Sequence, residues 1–487
     1  MKQKNMNRYL PGEGLSPDHI LGLIDKMQKE DIAWQKGRTW SLVYHAGQEH
    51  DQLLKSTFGK YFSTNYLNPF AFPSLQRMEK EVVRMTASML HGDDEVVGTM
   101  SSGGTESILL ALYTYREWAR KHHPHIENPE IVAPQTIHPA HDKAAHLLGL
   151  RIRKAPADEG QCAQPMEMER LISENTILLV ASAPSYPNGI LDPISAIGEL
   201  ARKYRLHFHV DACIGGFMLP WIERLGTPLD PWDFRVSAVT SISADVHKFG
   251  FGSKGASVVL YRTMDLLKHQ FYITTDFPGG IYVSPTILGS RSGGPIAAAW
   301  AGMKHLGENG YLKVATRLMQ GTKKLQKALD AIPEIRIIGQ PCMNIVSYTT
   351  HHNTPDIFSV AEHLQTREWM VDRQQMPDCI HLTVLPTNVD VIDKYLTDLR
   401  LAVNHAKTHR KGAGEGTAAL YGMMARVPFR GIVRKNVRKI FEEIYSGDEV
   451  PSGTRLSSHS PDGSALWMGL VSRMLAWWRR IFPGRNA

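Results

Sequence analysis

Lys248 closes the run Ser243-Ala244-Asp245-Val246-His247-Lys248, with a β-prone segment before it and Gly250, Gly252 and Gly255 after it. An amine at a strand end, beside a histidine and in a tightly turning backbone, suits a bound cofactor better than a solvated surface. Asp211 lies 37 residues earlier, directly after the apolar run 208–210. A carboxylate there faces the ligand crevice of a parallel sheet, or else caps the Gly215-Gly216 segment. An amine and a carboxylate in one crevice suit a pyridine aldehyde, the lysine taking the aldehyde carbon and the aspartate holding the ring nitrogen protonated.

Three further segments fit the same chemistry. Ser101-Ser102-Gly103-Gly104-Thr105-Glu106-Ser107 opens a helix, where free N–H groups and the positive dipole end form a phosphate cradle. A glycine turn before a helix is common, so this segment alone is weak. His138 follows the run 131–133 and is placed to stack on an aromatic ring, although most of the 22 histidines serve the surface or the structure. The stretch 279–294 is rich in glycine and hydroxyls, a costly composition in entropy, which points to ligand or subunit contact.

The elements that must position these residues follow an α/β pattern. Helical periodicity runs over 74–90. Short apolar runs at 131–133, 177–181, 208–210, 236–242 and 258–261 alternate with helical stretches such as 106–120 and 194–204. This predicts a mostly parallel sheet covered by helices. A long helix is expected from 310 to 329, then strands at 335–338, 344–348 and 380–384 and helices at 358–370 and 389–406. The expected division is an N-terminal arm and helices over 1–98, a large domain over 99–330, a smaller α/β domain over 331–445 and a tail over 446–487.

Composition narrows the function classes. Hydrophobic residues make up 43% and charged residues 21%, as in an ordinary soluble protein. Cys162, Cys213, Cys342 and Cys379 form no CxxC pair, so neither a disulfide framework nor a metal site is expected. Residues 401–440 hold nine Lys or Arg against Glu415 alone, while the body of the chain is nearly neutral, which argues against nucleic-acid binding. That basic stretch reads as a solvated helix face. Residues 412–416 read as a flexible linker. The stripe within 464–482, including Trp467, Leu470, Met474, Trp477 and Ile481, fits a helix docked on protein or one lying at a membrane interface. No signal peptide or run of 18 apolar residues occurs, so a cytoplasmic location is expected, with peripheral membrane contact left open.

Together the segments resemble the pyridoxal-phosphate enzymes of fold type I, group II decarboxylase branch, the aspartate aminotransferase-like fold. Within that branch they are most similar to the sphingosine-1-phosphate lyase family. The resemblance rests on residues 98–107, 209–217 and 243–248, and above all on Gly280-Ile281-Tyr282-Val283-Ser284-Pro285-Thr286. It implies a homodimeric carbon–carbon lyase that cleaves phosphorylated sphingoid bases by retro-aldol reaction to a long-chain aldehyde and phosphoethanolamine.

It also implies roles for individual residues. Lys248 would bind pyridoxal 5'-phosphate, Asp211 would pair with the ring nitrogen, and His138 would stack on the ring. Gly103, Gly104, Thr105 and His247 would hold the cofactor phosphate, with Ser290 arriving from the other subunit. Tyr44, Asn65, Asn68 and Lys254 would surround the substrate phosphate, and Tyr186 would stand near the bond being broken. The family often has histidine where this chain has Asn68, and asparagine hydrogen-bonds but carries no charge, which bears on phosphate affinity rather than reaction type. Eukaryotic members carry a membrane anchor, and this chain resembles the soluble bacterial type. The general base stays open among Lys248, Tyr186, and a water or phosphate oxygen. The rival readings are an amino-acid decarboxylase of the same branch and a non-catalytic lipid-binding protein.

Overall fold

The computed structural model describes residues 10–409 and 430–446. The chain divides into one compact unit over 40–409 and a second formed by 1–39 and 410–487. In the second, helix Pro17–Met27 starts at Ser16, whose hydroxyl accepts the His19 N–H at 3.3 Å, and helix Arg430–Ser446 is also described. The linker over 412–416 and the amphipathic stretch over 464–482 lie outside the described residues.

Within 40–409, the main sheet contains β1 (Val97–Ser101), β2 (Glu130–Pro134), β3 (Arg151–Ala155), β4 (Thr176–Ser182), β5 (His207–Asp211), β6 (Ser241–Ala244) and β7 (Ser257–Tyr261). Their spatial order is β1-β7-β6-β5-β4-β2-β3, and β7 alone runs antiparallel to its neighbours. Strands β2 and β4 are buried at every residue, so their sequences read as near-continuous apolar runs. The helix over Gly104–His122 buries Ile108, Ala111, Leu112, Tyr115 and Ala119, the i, i+3, i+4 face of a 3.6-residue period. These side chains join the core formed with β2, β4 and the helix over Ala140–Leu148. Each large apolar side chain buried there contributes roughly 1.5–3 kcal/mol.

A two-stranded ribbon, β8 (Tyr272–Thr274) with β9 (Tyr282–Ser284), lies in the glycine-rich region. Beyond it comes an antiparallel sheet of β10 (Ile335–Ile337), β11 (Ile345–Thr350), β12 (Asp372–Gln374) and β13 (Cys379–Thr383), in the order β10-β11-β13-β12.

Fold class and most elements match the sequence expectation, with local differences. Strand β6 begins only at Ser241, because the carbonyls of Val236 and Val239 accept hydrogen bonds from the Arg262 guanidinium. The expected helix over 310–329 is the second part of Gly293–Asp330, which Gly307 interrupts at a left-handed φ of 54°. The helix expected over 358–370 ends at Gln365, since Glu368 takes a left-handed φ of 65° and the Trp369 indole donates to Asp398.

Candidate active site

The sheet delivers the chemistry at the carboxyl ends of its strands. Asp211 is the last residue of β5, Lys248 lies four residues beyond β6, and the cradle follows β1. Gly103, Gly104, Thr105, His138, Tyr186, Asp211, Cys213, Asp245, His247 and Lys248 line one cavity of about 400 Å³. Eight of these ten are residues expected from sequence. Lysine and aspartate, distant along the chain, therefore share a single cleft.

Lys248 is held by a residue that sequence reasoning missed. Its Nζ lies 2.9 Å from Asp245 Oδ2, and Asp245 is 1% exposed. Burial opposes both charges, but their mutual attraction outweighs it and keeps the lysine protonated and the carboxylate ionised. The signal was present in the sequence, since an acid three residues before a lysine reaches it within one turn. His247 accepts the Ala256 N–H at Nδ1, which leaves Nε2 to carry the hydrogen, 3.6 Å from the same carboxylate.

Asp211 is buried, and burial alone would raise its pKa. His141, the Cys213 N–H and His138 outweigh that and hold it below the usual carboxylate range. Its Oδ1 accepts the Cys213 N–H at 3.0 Å, and His141 Nδ1 lies 3.9 Å from Oδ2. Burial lowers the pKa of His138, whose Nδ1 accepts the Ala140 N–H at 3.2 Å, so its ring is neutral and able to lie against a planar partner.

The floor of the cradle admits no side chain. A Cβ at Gly104 would sit 2.6 Å from Asp245 Oδ2 and 3.0 Å from Cys213 Sγ. The first-turn N–H groups of the helix have no intrahelical acceptor. Glu106 fixes the turn, accepting from Ser102 N at 2.7 Å and from Ile287 N at 3.0 Å, which ties the cradle to the glycine-rich loop. The loop is also held where Gln270 donates to the Pro285 carbonyl at 2.6 Å and Arg291 donates to the Met100 carbonyl at 3.0 Å.

Tyr44 and Lys254 stand together, with the Lys254 Nζ 4.7 Å from the centre of the Tyr44 ring and donating to the His247 carbonyl at 3.0 Å. Burial pushes the Tyr44 phenol up to about 12 despite the nearby Lys248. Asn65, Asn68 and Ser290 are exposed and do not line this cavity. Asn65 Nδ2 donates to Ser290 Oγ at 3.0 Å, and Asn68 Oδ1 accepts the Phe70 N–H at 3.0 Å. Asp372 and His381, which flank Tyr186, carried no signal in the sequence because only tertiary contact brings them there.

These residues fit a phosphorylated pyridine aldehyde. A protonated amine and an ionised carboxylate share one cleft, a neutral imidazole is available for stacking, and a glycine floor lies at a helix start. Residues 2–351 match the family model of the pyridoxal-dependent decarboxylase conserved domain. Fold and site thus define a fold type I enzyme whose cofactor is pyridoxal 5'-phosphate. The chain is 38% identical to the rat sphingosine-1-phosphate lyase 1 over 93% of its own length and 80% of that protein's. It is 39% identical to the Arabidopsis thaliana sphingosine-1-phosphate lyase, over 91% and 82%. The solved sphingosine-1-phosphate lyase of Burkholderia pseudomallei superposes with a TM-score of 0.82 at 35% identity, covering 90% of this chain and 97% of that one. A glutamate decarboxylase of Lactobacillus brevis, at 19% identity and a TM-score of 0.72, shares the fold. The chain belongs to the sphingosine-1-phosphate lyase family.

Proposed function

We propose that this protein cleaves phosphorylated sphingoid bases, such as sphingosine 1-phosphate, between C2 and C3, giving a long-chain aldehyde and phosphoethanolamine. The observation that carries this reading is Lys254. Its ammonium stands beside Tyr44 and near the lysine–aspartate cleft, and among the described residues no carboxylate pairs with it. Burial and the Lys248 charge lower its pKa, so an arriving phosphate supplies the counter-charge it lacks. A decarboxylase would need a partner for the substrate's carboxylate instead.

Lys248 would bind the cofactor's aldehyde carbon, Asp211 its ring nitrogen, and Gly103, Gly104, Thr105 and His247 its phosphate. When bound, the protonated pyridine ring accepts the electron pair released as the C2–C3 bond breaks. The chain's part is to orient that bond, to keep Asp211 charged, and to take the C3 hydroxyl proton as C3 becomes the aldehyde carbon. Tyr186 lines the cavity and is a hydroxyl-bearing candidate for that contact.

Product analysis with sphingosine 1-phosphate tests the reading, with hexadecenal and phosphoethanolamine expected in equal amounts. Steady carbon dioxide release from glutamate, tyrosine or aspartate, with no aldehyde from the lipid, would replace it by the decarboxylase.

The working unit is proposed to be a homodimer. Exposed Asn65 and Ser290 are paired outside their own cavity, and Phe62, Leu67, Phe70, Ile281 and Leu288 are exposed apolar side chains from the same two segments. Sedimentation of the active enzyme at the dimer mass is expected, and an active monomer would contradict it. A cytoplasmic site of action accompanies the proposal, and no described helix is long and apolar enough to cross a membrane.

A further inference from the structure

We propose that Tyr186 and Asp372 form a two-residue proton path, in which Tyr186 takes the C3 hydroxyl proton of the substrate and passes its own to the Asp372 carboxylate. This rests on the cleavage reaction proposed above and names the acceptor in it.

The geometry begins with Tyr186, whose hydroxyl donates to Asp372 Oδ2 at 3.2 Å across 186 residues of sequence. Its ring is fixed on two sides. His381 lies against one face, with centroids 4.6 Å apart and planes 33° from parallel, and His138 meets it edge-on at 6.2 Å. Two strands place the acceptor, since Asp372 on β12 sits opposite His381 on β13.

His381 does not compete for the carboxylate. Its Nδ1 faces the Pro187 carbonyl at 2.9 Å and must donate to it, so Nε2 accepts from the Thr383 hydroxyl at 2.9 Å. Such an imidazole is neutral, and burial keeps it so. The Asp372 charge is therefore directed at the phenol.

The same arrangement removes Tyr186 as a base acting alone. Burial, then the neighbouring carboxylate, push its phenol far up, so at neutral pH it has no phenolate to offer. As a relay it needs none, because one proton leaves its oxygen as another arrives. The demand on Asp372 is small. As the C2–C3 bond breaks, the C3 oxygen becomes that of a protonated aldehyde, a strong acid, and a carboxylate suffices to receive its proton. The balance closes with the C3 proton's equivalent on Asp372, the pair from C2–C3 in the cofactor, and a neutral aldehyde released. Asp372 is half-buried, so it can exchange that proton with solvent between turnovers.

Asp372 acts through Tyr186 and is assigned no contact with substrate or cofactor. The experiment compares holoenzyme carrying Asp372→Asn, Asp372→Glu, Tyr186→Phe and the Tyr186→Phe/Asp372→Asn pair. Asp372→Asn should lower kcat by about 100-fold with KM changed less than about threefold. Asp372→Glu should recover part of the loss, and the pair should be no worse than Tyr186→Phe alone. An Asp372→Asn enzyme within about threefold of wild type in kcat, or a pair whose loss equals the product of the two single losses, would overturn the path. An unchanged cofactor absorption band excludes misfolding as the cause. A wild type inactive on the lipid would defeat the proposed reaction instead. The link is then judged by fluorine NMR of the 3-fluorotyrosine-labelled protein, using the resonance missing in Tyr186→Phe. Its titration should move to lower pH in Asp372→Asn, and an unmoved titration would overturn the link.

Discussion

Lys248→Ala removes the visible absorption band of the lysine-bound cofactor and lowers turnover on the order of 10⁴-fold or more. Among the residues lining the cavity, Lys248 is the one amine, so no neighbour substitutes for its bond to the aldehyde. The variant has a second consequence that a purely catalytic reading would miss. Asp245 is 1% exposed, and Lys248 Nζ at 2.9 Å is its salt-bridge cation. Removing one partner of a buried pair leaves an uncompensated charge and costs about 3–5 kcal/mol. The cofactor-free variant should therefore melt well below the cofactor-free wild type. Lys248→Ala/Asp245→Asn should recover most of that stability and none of the activity. The pH dependence follows from the two shifts. The depressed Asp245 pKa gives stability present above the unfolded value of about 3.9 and lost as pH falls through the folded one. The raised Lys248 pKa gives stability present below about 10.4 and lost as pH rises through its folded value. Between about pH 5 and 9 the wild-type pair's own contribution is thus constant. A variant that keeps the band or the turnover would dismantle the site.

Much of this site was legible because its residues sit next to strands in sequence. Asp211 ends an apolar run, Lys248 follows one, and glycines mark the cradle, so short-range pattern and position carried the reading. Two strands of the main sheet escaped it for physical reasons. β3 is the edge of the sheet, and its sequence Arg151-Ile152-Arg153-Lys154-Ala155 carries the charges that protect an edge but erase apolar periodicity. β1 contains Gly98, where a Cβ would sit 2.3 Å from the Val259 carbonyl oxygen, so close strand packing required a residue that reads as a turn. The polar partners divide in the same way. Asp245 lies within one turn of Lys248 and was readable, whereas Asp372 and His381 reach Tyr186 only after the antiparallel sheet has formed. Asn65 and Ser290 meet each other outside the cavity, a contact across 225 residues that no local pattern announces.

Asp211→Asn separates function from structure because its two effects differ greatly in size. The carboxylate is buried, and burial alone would drive it neutral. It stays ionised because His141, the Cys213 N–H and His138 stabilise the charge. Asparagine keeps the shape, and its carbonyl oxygen still accepts the Cys213 N–H, but the charge is lost. Removing a preorganised charge from a site where charge develops typically costs 10²–10³ in kcat, or about 2.7–4 kcal/mol, and that is the expected fall. Cofactor binding weakens less, since Lys248 and the cradle remain. In the cofactor-free protein the depressed pKa makes the charge net stabilising, so the same change should also lower stability, although the retained hydrogen bond to the Cys213 N–H keeps the loss small beside the fall in turnover. A structural aspartate, such as a cap for the segment after β5, would lose stability with turnover kept. The sign of the pH effect is also fixed. With a depressed folded pKa, the Asp211 charge is present above the ordinary carboxylate range and is lost only as pH falls through the folded value. The activity deficit should therefore be flat from about pH 6 to 9. Paired kinetics and urea melts on one preparation read both effects together. A variant that is less stable yet turns over within about threefold of wild type would show that this carboxylate holds the loop and not the ring.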